Sequence, residues 1–251
     1  MGPQIEINAR GTNILDGRHV RAMAFVHARR QLLDRIVRER SLKGAGRRAL
    51  VVGGGYSPIA ADLRDRGFDV TAVDPSPSAT DIARAENDGV AFRAAPATDL
   101  GVDPASFDLV YCADTLEVTD DLDGVLAELN TTLRRAGTIV LDTVTDTVIA
   151  RLIYLIAFPR LPFTRIMPRG RYTAARLRNP RDLEEACRRA GITIDSMIGF
   201  EPASIGSLVR AVLDRRAGRI SDDDLPDAAG FHLSDDGHDP VVTYFAVGTK
   251  R

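Results

Sequence analysis

Two hydrophobic periods alternate along this chain. Short apolar runs at 49–52, 70–73, 91–94, 107–112 and 138–141 read as buried strands. Between them, apolar residues recur at three- and four-residue spacing, which predicts helices over 57–66, 78–87 and 121–133. Strands that alternate with helices imply an α/β, doubly wound, mostly parallel sheet. Ahead of the first strand, Val20, Ala24, Phe25, Ala28, Leu32, Leu33, Ile36 and Val37 predict one amphipathic helix over 18–40. Past residue 142 the pattern changes. An inserted helix is expected over 148–163, and Asn179-Pro180 opens another that runs to 189. Gly191-Ile192-Thr193-Ile194 starts a strand, and a last one at 241–247 would finish the sheet antiparallel with it. Residues 217–239 are rich in Asp and Gly and read as a mobile surface loop.

The first apolar run stops at Gly53-Gly54-Gly55, and the second stops at Asp74, nineteen residues after Gly55. That order suits a βαβ unit that holds a nucleoside. Glycines allow a tight turn and close backbone approach to a ligand, and an acid at the tip of the second strand can accept both ribose hydroxyls. A dinucleotide site would want a third glycine where Pro58 stands, so NAD is disfavoured. Pro58, with Ser57 as N-cap, suits the start of a helix instead. A Gly-x-Gly turn followed by this acid fits S-adenosylmethionine at least as well as NAD, which leaves an NAD-dependent oxidoreductase as the weaker alternative.

Composition narrows the picture. A chain of 251 residues that is 44% apolar can bury a full core. Net charge is −2, so no global positive field draws nucleic acid. All basic residues but Lys43 and Lys250 are arginines, dispersed among Asp and Glu, which reads as genome composition more than as a binding surface. Cys112 and Cys187 sit in apolar contexts with no metal-ligand spacing, as expected of buried thiols in a reducing compartment. The start has no basic region followed by an apolar core, and 148–163 is too short and too broken by Arg151, Pro159 and Arg160 to span a bilayer. A cytoplasmic protein is expected, with room for peripheral membrane contact through 148–163 and for a homodimer.

The segments Leu50-Val51-Val52-Gly53-Gly54-Gly55, Val70-Thr71-Ala72-Val73-Asp74, Phe107-Asp108-Leu109-Val110-Tyr111-Cys112, Leu116-Glu117 and Leu133-Arg134-Arg135-Ala136-Gly137-Thr138 resemble the class I S-adenosylmethionine-dependent methyltransferases. Met167-Pro168-Arg169-Gly170-Arg171-Tyr172, Leu177-Arg178-Asn179-Pro180-Arg181-Asp182-Leu183 and Ala190-Gly191-Ile192 resemble the ubiquinone-biosynthesis O-methyltransferase subgroup. The likeness covers residues 45–200. It implies a Rossmann-like methyltransferase fold with a seven-stranded sheet, an N-terminal helix and an inserted helical cap. The expected division is a single domain over 1–251: a helical cover at 1–45, a cofactor-binding half at 46–142 and an acceptor-side half at 143–251.

The departures from the family pattern are specific. Its acid at the end of strand one is Val51 here, and its acid beside the adenine falls at Pro96. Its Leu-Glu-His reads Leu116-Glu117-Val118, and its Thr-His-Asp reads Arg171-Tyr172-Thr173, so two histidines are missing. The resemblance assigns Gly53, Gly54, Gly55, Asp74, Pro75, Pro96, Ala97 and Cys112 to S-adenosylmethionine. The remaining catalytic candidates are Glu117, Tyr172 and His19, with His27, His232 and His238 as weaker bases. No dedicated metal site is expected; Asp114 and Glu117 are the pair that would hold a divalent cation. The implied activity is O-methylation of a small aromatic or lipid-like metabolite in a biosynthetic pathway. The alternative is a protein of the same fold that binds S-adenosylmethionine without methylating, as a cyclase or regulatory partner.

Overall fold

The computed structural model describes residues 3–11, 13–53, 58–234 and 238–251. Gly54, Gly55 and Ser57, named above, lie outside them. The chain opens with two short paired strands, β1 (Gln4–Ile5) and β2 (Ile14–Leu15), followed by α1 (Gly17–Ala24) and α2 (Val26–Glu39). The next elements are β3 (Arg48–Val52), α3 (Ile59–Asp65), β4 (Asp69–Asp74), α4 (Pro77–Glu86), β5 (Val90–Ala94), β6 (Phe107–Cys112), α5 (Leu122–Thr132) and β7 (Leu133–Val144). After these come α6 (Val148–Arg151), a π-helical turn (Leu152–Ala157), α7 (Phe158–Arg160), α8 (Pro180–Arg189), β8 (Ile192–Glu201), α9 (Ile205–Arg216), α10 (Leu225–Ala229), β9 (His232–Leu233) and β10 (Thr243–Lys250).

Eight strands form the main sheet in the order β5-β4-β3-β6-β7-β10-β8-β9. Pairing is parallel from β5 through β7, and β10 lies antiparallel to both β7 and β8. The expected seven strands are therefore present, with the two-residue β9 added at one edge. β3 pairs with β4 on one side and with β6 on the other, so the strand order reverses there. The carboxyl ends at that point are the ligand-binding position of a doubly wound sheet. Both sheet faces are covered. Leu32, Val51, Ile59, Leu109 and Tyr111 pack on one face, and Leu50, Val110, Cys112, Leu126 and Leu183 pack on the other.

Four elements differ from the sequence reading. The helix expected over 18–40 breaks at Phe25, whose ring packs edge-on against Phe200 and Phe231. The inserted helix widens to π geometry over Leu152–Ala157, where Phe158 N–H donates to the Ile153 carbonyl, five residues back. Pro159 explains this, because it has no N–H for the carbonyl four residues before it. The α5 helix ends at Thr132, ahead of Ala136-Gly137; Ala136 takes a positive φ inside an irregular start to β7. Finally, the Asp-rich stretch read as a mobile loop holds α10 and β9 among its described residues. Leu225, Ala229 and Phe231 of that stretch are buried, and apolar anchoring of this kind is what the composition concealed.

The N-terminal helix is seated tightly. Asp16 caps α1 through the Arg18 and His19 amides and also accepts from Asn8 N–H. A Cβ built at Gly17 would lie 1.9 Å from the Ile166 carbonyl oxygen and 2.7 Å from the Met167 sulfur. Gly17→Ala is therefore expected to push α1 off the inserted segment and destabilise the fold by about 1–3 kcal/mol, the scale of an overpacked contact; urea denaturation measures it.

Candidate cofactor and acceptor site

At the switch point, Gly53 follows β3 with φ +78, and its N–H donates to the Val73 carbonyl. A Cβ there would meet the Ala113 carbonyl oxygen at 2.0 Å, so the turn needs glycine for two independent reasons. Asp74 ends β4 and is 2% exposed. Ala95 N–H donates to the Asp74 carbonyl, which sets the turn at Pro96 and Ala97 beside it. Pro75 and Pro96 are exposed and Ala97 is half-buried. Gly53, Asp74, Pro75, Pro96 and Ala97 are thus brought to one end of the sheet. Cys112 is not presented there: its side chain is fully buried among Val110, Leu116 and Leu126 on the other face, and burial pushes its thiol up.

The sequence reading did not anticipate the arginines that reach this end. Arg18 of α1 reaches in, 6% exposed, and bonds Asp74 through both guanidinium branches. Nη1 lies 3.0 Å from Asp74 Oδ1 and 3.0 Å from Asn8 Oδ1, while Nη2 lies 2.7 Å from the Gly53 carbonyl oxygen and also contacts Asp74 Oδ2. Asp74 Oδ1 further accepts from Ser76 N–H.

A turn further along, Arg21 Nη1 contacts Glu117 Oε1 and donates to Tyr172 Oη at 3.2 Å, while Nε lies 3.1 Å from Asp114 Oδ1. Glu117 is fully buried, and its other oxygen accepts from Thr143. Arg29, with no exposed surface, pairs with Asp114 at 3.0 Å and Asp142 at 2.9 Å. Asp114 sits at φ +49, held by its N–H bond to Asp142. Burial works to raise the Asp114 carboxyl, but Arg29 and Arg21 outweigh it and hold it below its ordinary value. Burial raises Asp142 to about 6, with Arg29 opposing and Asp114 adding to the rise.

This network changes the roles assigned to several residues. Asp114 and Glu117 both face guanidinium groups, which occupy the place a divalent cation would take; no cluster of three metal-ligating side chains occurs among the described residues. Glu117 is bonded on both oxygens, so it is not a free proton acceptor. Tyr172 is buried and joins the cluster as the acceptor of the Arg21 bond. His19 is directed elsewhere: its Nε2 lies 3.6 Å from Asp222, and burial lowers its pKa. His27 pairs with Asp227 at 2.9 Å, so both histidines of the cover contact the C-terminal stretch. His232 and His238 are exposed.

One signal for the arginines was present in the sequence. Arg21, Phe25, Arg29 and Leu33 recur every four residues, so two cations share the stripe that carries core residues.

Beside the cluster lies a cavity of about 660 Å³, within the range of small-molecule sites. Val20, Arg21 and Phe25 of the cover, Tyr154 and Phe158 of the insert, and Phe200 of β8 contribute to its lining.

Replacing Arg29 with methionine keeps the volume but strands Asp114 and Asp142 without their shared cation. Breaking one side of a buried charge network costs about 3–5 kcal/mol. Arg29→Met should lose that much in chemical denaturation.

Residues 50–141 match the family described as methyltransferase domain. Among known proteins, the ubiquinone biosynthesis O-methyltransferase of Chromobacterium violaceum is 28% identical over 180 residues, covering 68% of this chain and 75% of the relative. That of Methylococcus capsulatus is 29% identical over 165 residues, 63% of this chain and 69% of the relative. Two solved structures share the fold. An S-adenosylmethionine dependent methyltransferase from Mesorhizobium loti superposes with a TM-score of 0.57 at 18% identity, covering 86% of this chain and 96% of the other. The [4+2]-cyclase SpnF superposes with a TM-score of 0.55 at 18% identity, covering 88% and 80%. The chain carries a methyltransferase domain on the class I fold and is an S-adenosylmethionine-dependent methyltransferase that resembles the ubiquinone-biosynthesis O-methyltransferases.

Proposed function

We propose that the acceptor is a small, largely apolar aromatic or lipid-like metabolite, methylated on an acidic oxygen. The observation that carries this reading is the cavity: its lining is mostly apolar, and its one buried cation among the described residues is Arg21. Arg21 is the same side chain that contacts Glu117, Asp114 and Tyr172. Its Nη2 donates no hydrogen bond among the described residues. The names of the curated relatives support O-methylation in a biosynthetic pathway.

The residues at the switch point fit S-adenosylmethionine: a buried carboxylate ends β4, and a glycine with φ +78 follows β3 where no Cβ could be accommodated. Asp74 would hold the ribose hydroxyls, with Gly53 toward the methionine end and the 95–97 turn against the adenine. When bound, the group supplies a methyl activated by its sulfonium. The protein's part is to orient the acceptor oxygen and to favour its ionised form. His19 and His27 face the C-terminal stretch, His232 lines the cavity but is exposed with its Nδ1 against the Gly230 carbonyl, and Glu117 is bonded on both oxygens. Arg21 then acts electrostatically: a permanent cation beside an acidic hydroxyl favours the anion that attacks. Tyr172, bonded to Arg21, fixes the guanidinium plane.

The cavity mouth supports a further part of this reading. Val148, Ile149, Leu152 and Ile156 expose one apolar face of the inserted helix, and Phe163 and Ile205 are each 77% exposed in the same half of the chain. Ile149, Leu152 and Ile205 also line the cavity, so this face continues into it. Arg160 and Arg169 are exposed along the same insert. An anionic lipid surface matches that combination of apolar face and cations. No helix among the described residues is long and apolar enough to cross a membrane, so contact would be peripheral.

With radiolabelled methyl donor, alkylated phenols should accept label in preference to unalkylated phenols; label on the hydrophilic compounds alone would overturn the assignment. Ala157→Trp, which fills the cavity, should raise KM for an alkylated phenol by about tenfold or more while cofactor affinity stays unchanged, the signature of lost acceptor binding. Val148→Asp with Phe163→Asp should abolish cosedimentation with anionic vesicles. Wild-type protein that stays off vesicles and sediments as a dimer would assign the face to a second copy instead.

A further inference from the structure

The cofactor assignment places a ribose on Asp74, yet Asp74 is already engaged. Arg18 meets both of its carboxylate oxygens, and the same guanidinium donates to the Gly53 carbonyl. Both side chains are more than nine-tenths buried. A carboxylate whose two oxygens face one guanidinium has its best acceptor directions filled, and Ser76 N–H takes another. Two neutral hydroxyls make weaker hydrogen bonds to a carboxylate than a guanidinium does. The ribose therefore cannot take Asp74 while Arg18 remains.

Arg18 does not hang from a loose arm. It lies in the first turn of α1, whose cap Asp16 is buried and whose Gly17 backbone touches the Ile166 carbonyl. Asn8 holds the guanidinium from the other side, and the Asn8 carbonyl accepts from Ser78 of α4. Displacing Arg18 thus disturbs the start of α1. The next turns of that helix carry Val20, Arg21 and Ala24, all of which line the acceptor cavity. One helix contributes to both sites.

We propose that Arg18 is a latch on the cofactor site: S-adenosylmethionine binds by displacing it from Asp74, and the resulting movement of α1 readies the acceptor cavity, so that cofactor precedes acceptor. This rests on the cofactor assignment above. The latched state lowers apparent affinity by the fraction of molecules that are open, and removing the latch returns that factor.

The experiment is calorimetric titration of S-adenosylhomocysteine into wild-type protein and Arg18→Met. The variant should bind about tenfold more tightly or better, the gain expected if fewer than about one molecule in ten is open at rest. Equal or weaker binding by the variant would overturn the latch, and would leave the methyltransferase reading intact because the ligand still binds. Binding by neither protein would remove both. Because Arg18→Met leaves a buried carboxylate alone and can unfold, hydrogen exchange on the wild type gives a second measurement. Saturation with S-adenosylhomocysteine should speed exchange of the amides of 17–24. Slower or unchanged exchange there would mean that Arg18 stays in place.

Discussion

The structure depends on a charge constraint at the carboxyl ends of its central strands. Asp74, Asp114, Glu117 and Asp142 are all brought to that end and all buried. Carboxylates stripped of water at such spacing repel one another and must be protonated or paired. The answer is three arginines from the N-terminal cover: Arg18 on Asp74, Arg21 on Glu117 and Asp114, and Arg29 on Asp114 and Asp142. The carboxyl that rises to about 6 is Asp142, and the one held low is Asp114, which faces two cations. The pairing does more to fix α1 and α2 in place than to add stability, because each ion has been desolvated to make it.

This constraint separates what was legible in the sequence from what was not. Strand positions could be read because a parallel sheet buried on both faces needs continuous apolar runs, and 70–73 and 107–112 supply them. Gly53 and Asp74 could be read because their spacing follows from one βαβ unit, a local property. Arg18, Arg21 and Arg29 could not be read in the same way. Each meets a partner 56 to 113 positions away, and an isolated arginine on an amphipathic helix ordinarily belongs to its solvated face. Their dispersal among acids hid them further, since a composition rich in arginine makes no single one conspicuous.

The same reasoning accounts for the misread C-terminal stretch. Its Asp and Gly content describes the exposed side, whereas Leu225, Ala229 and Phe231 are buried against the cover. Asp222 and Asp227 face His19 and His27, so residues that looked like solvent-exposed loop acids are partners of the two histidines once weighed as bases. A histidine engaged in holding elements together is a poor candidate for proton transfer at a site it does not face.

The cover also bears on the two histidines this chain lacks relative to the family it resembles. Val118 now packs partly buried against the apolar core, and Tyr172 bonds Arg21. Neither replacement titrates like imidazole, and the group beside Tyr172 is a guanidinium that stays charged across the physiological range. Imidazole can accept a proton and return it; guanidinium cannot, but on the proposed reading its Nη2, which donates to no described partner, can hold an oxyanion. On the reading proposed above, ionisation rests on the acidity of the acceptor itself. An acceptor acidic enough to ionise beside Arg21 needs no base, whereas an aliphatic alcohol would remain protonated and unreactive. The apolar lining strengthens this selection, because the field of a cation is least screened where water is excluded.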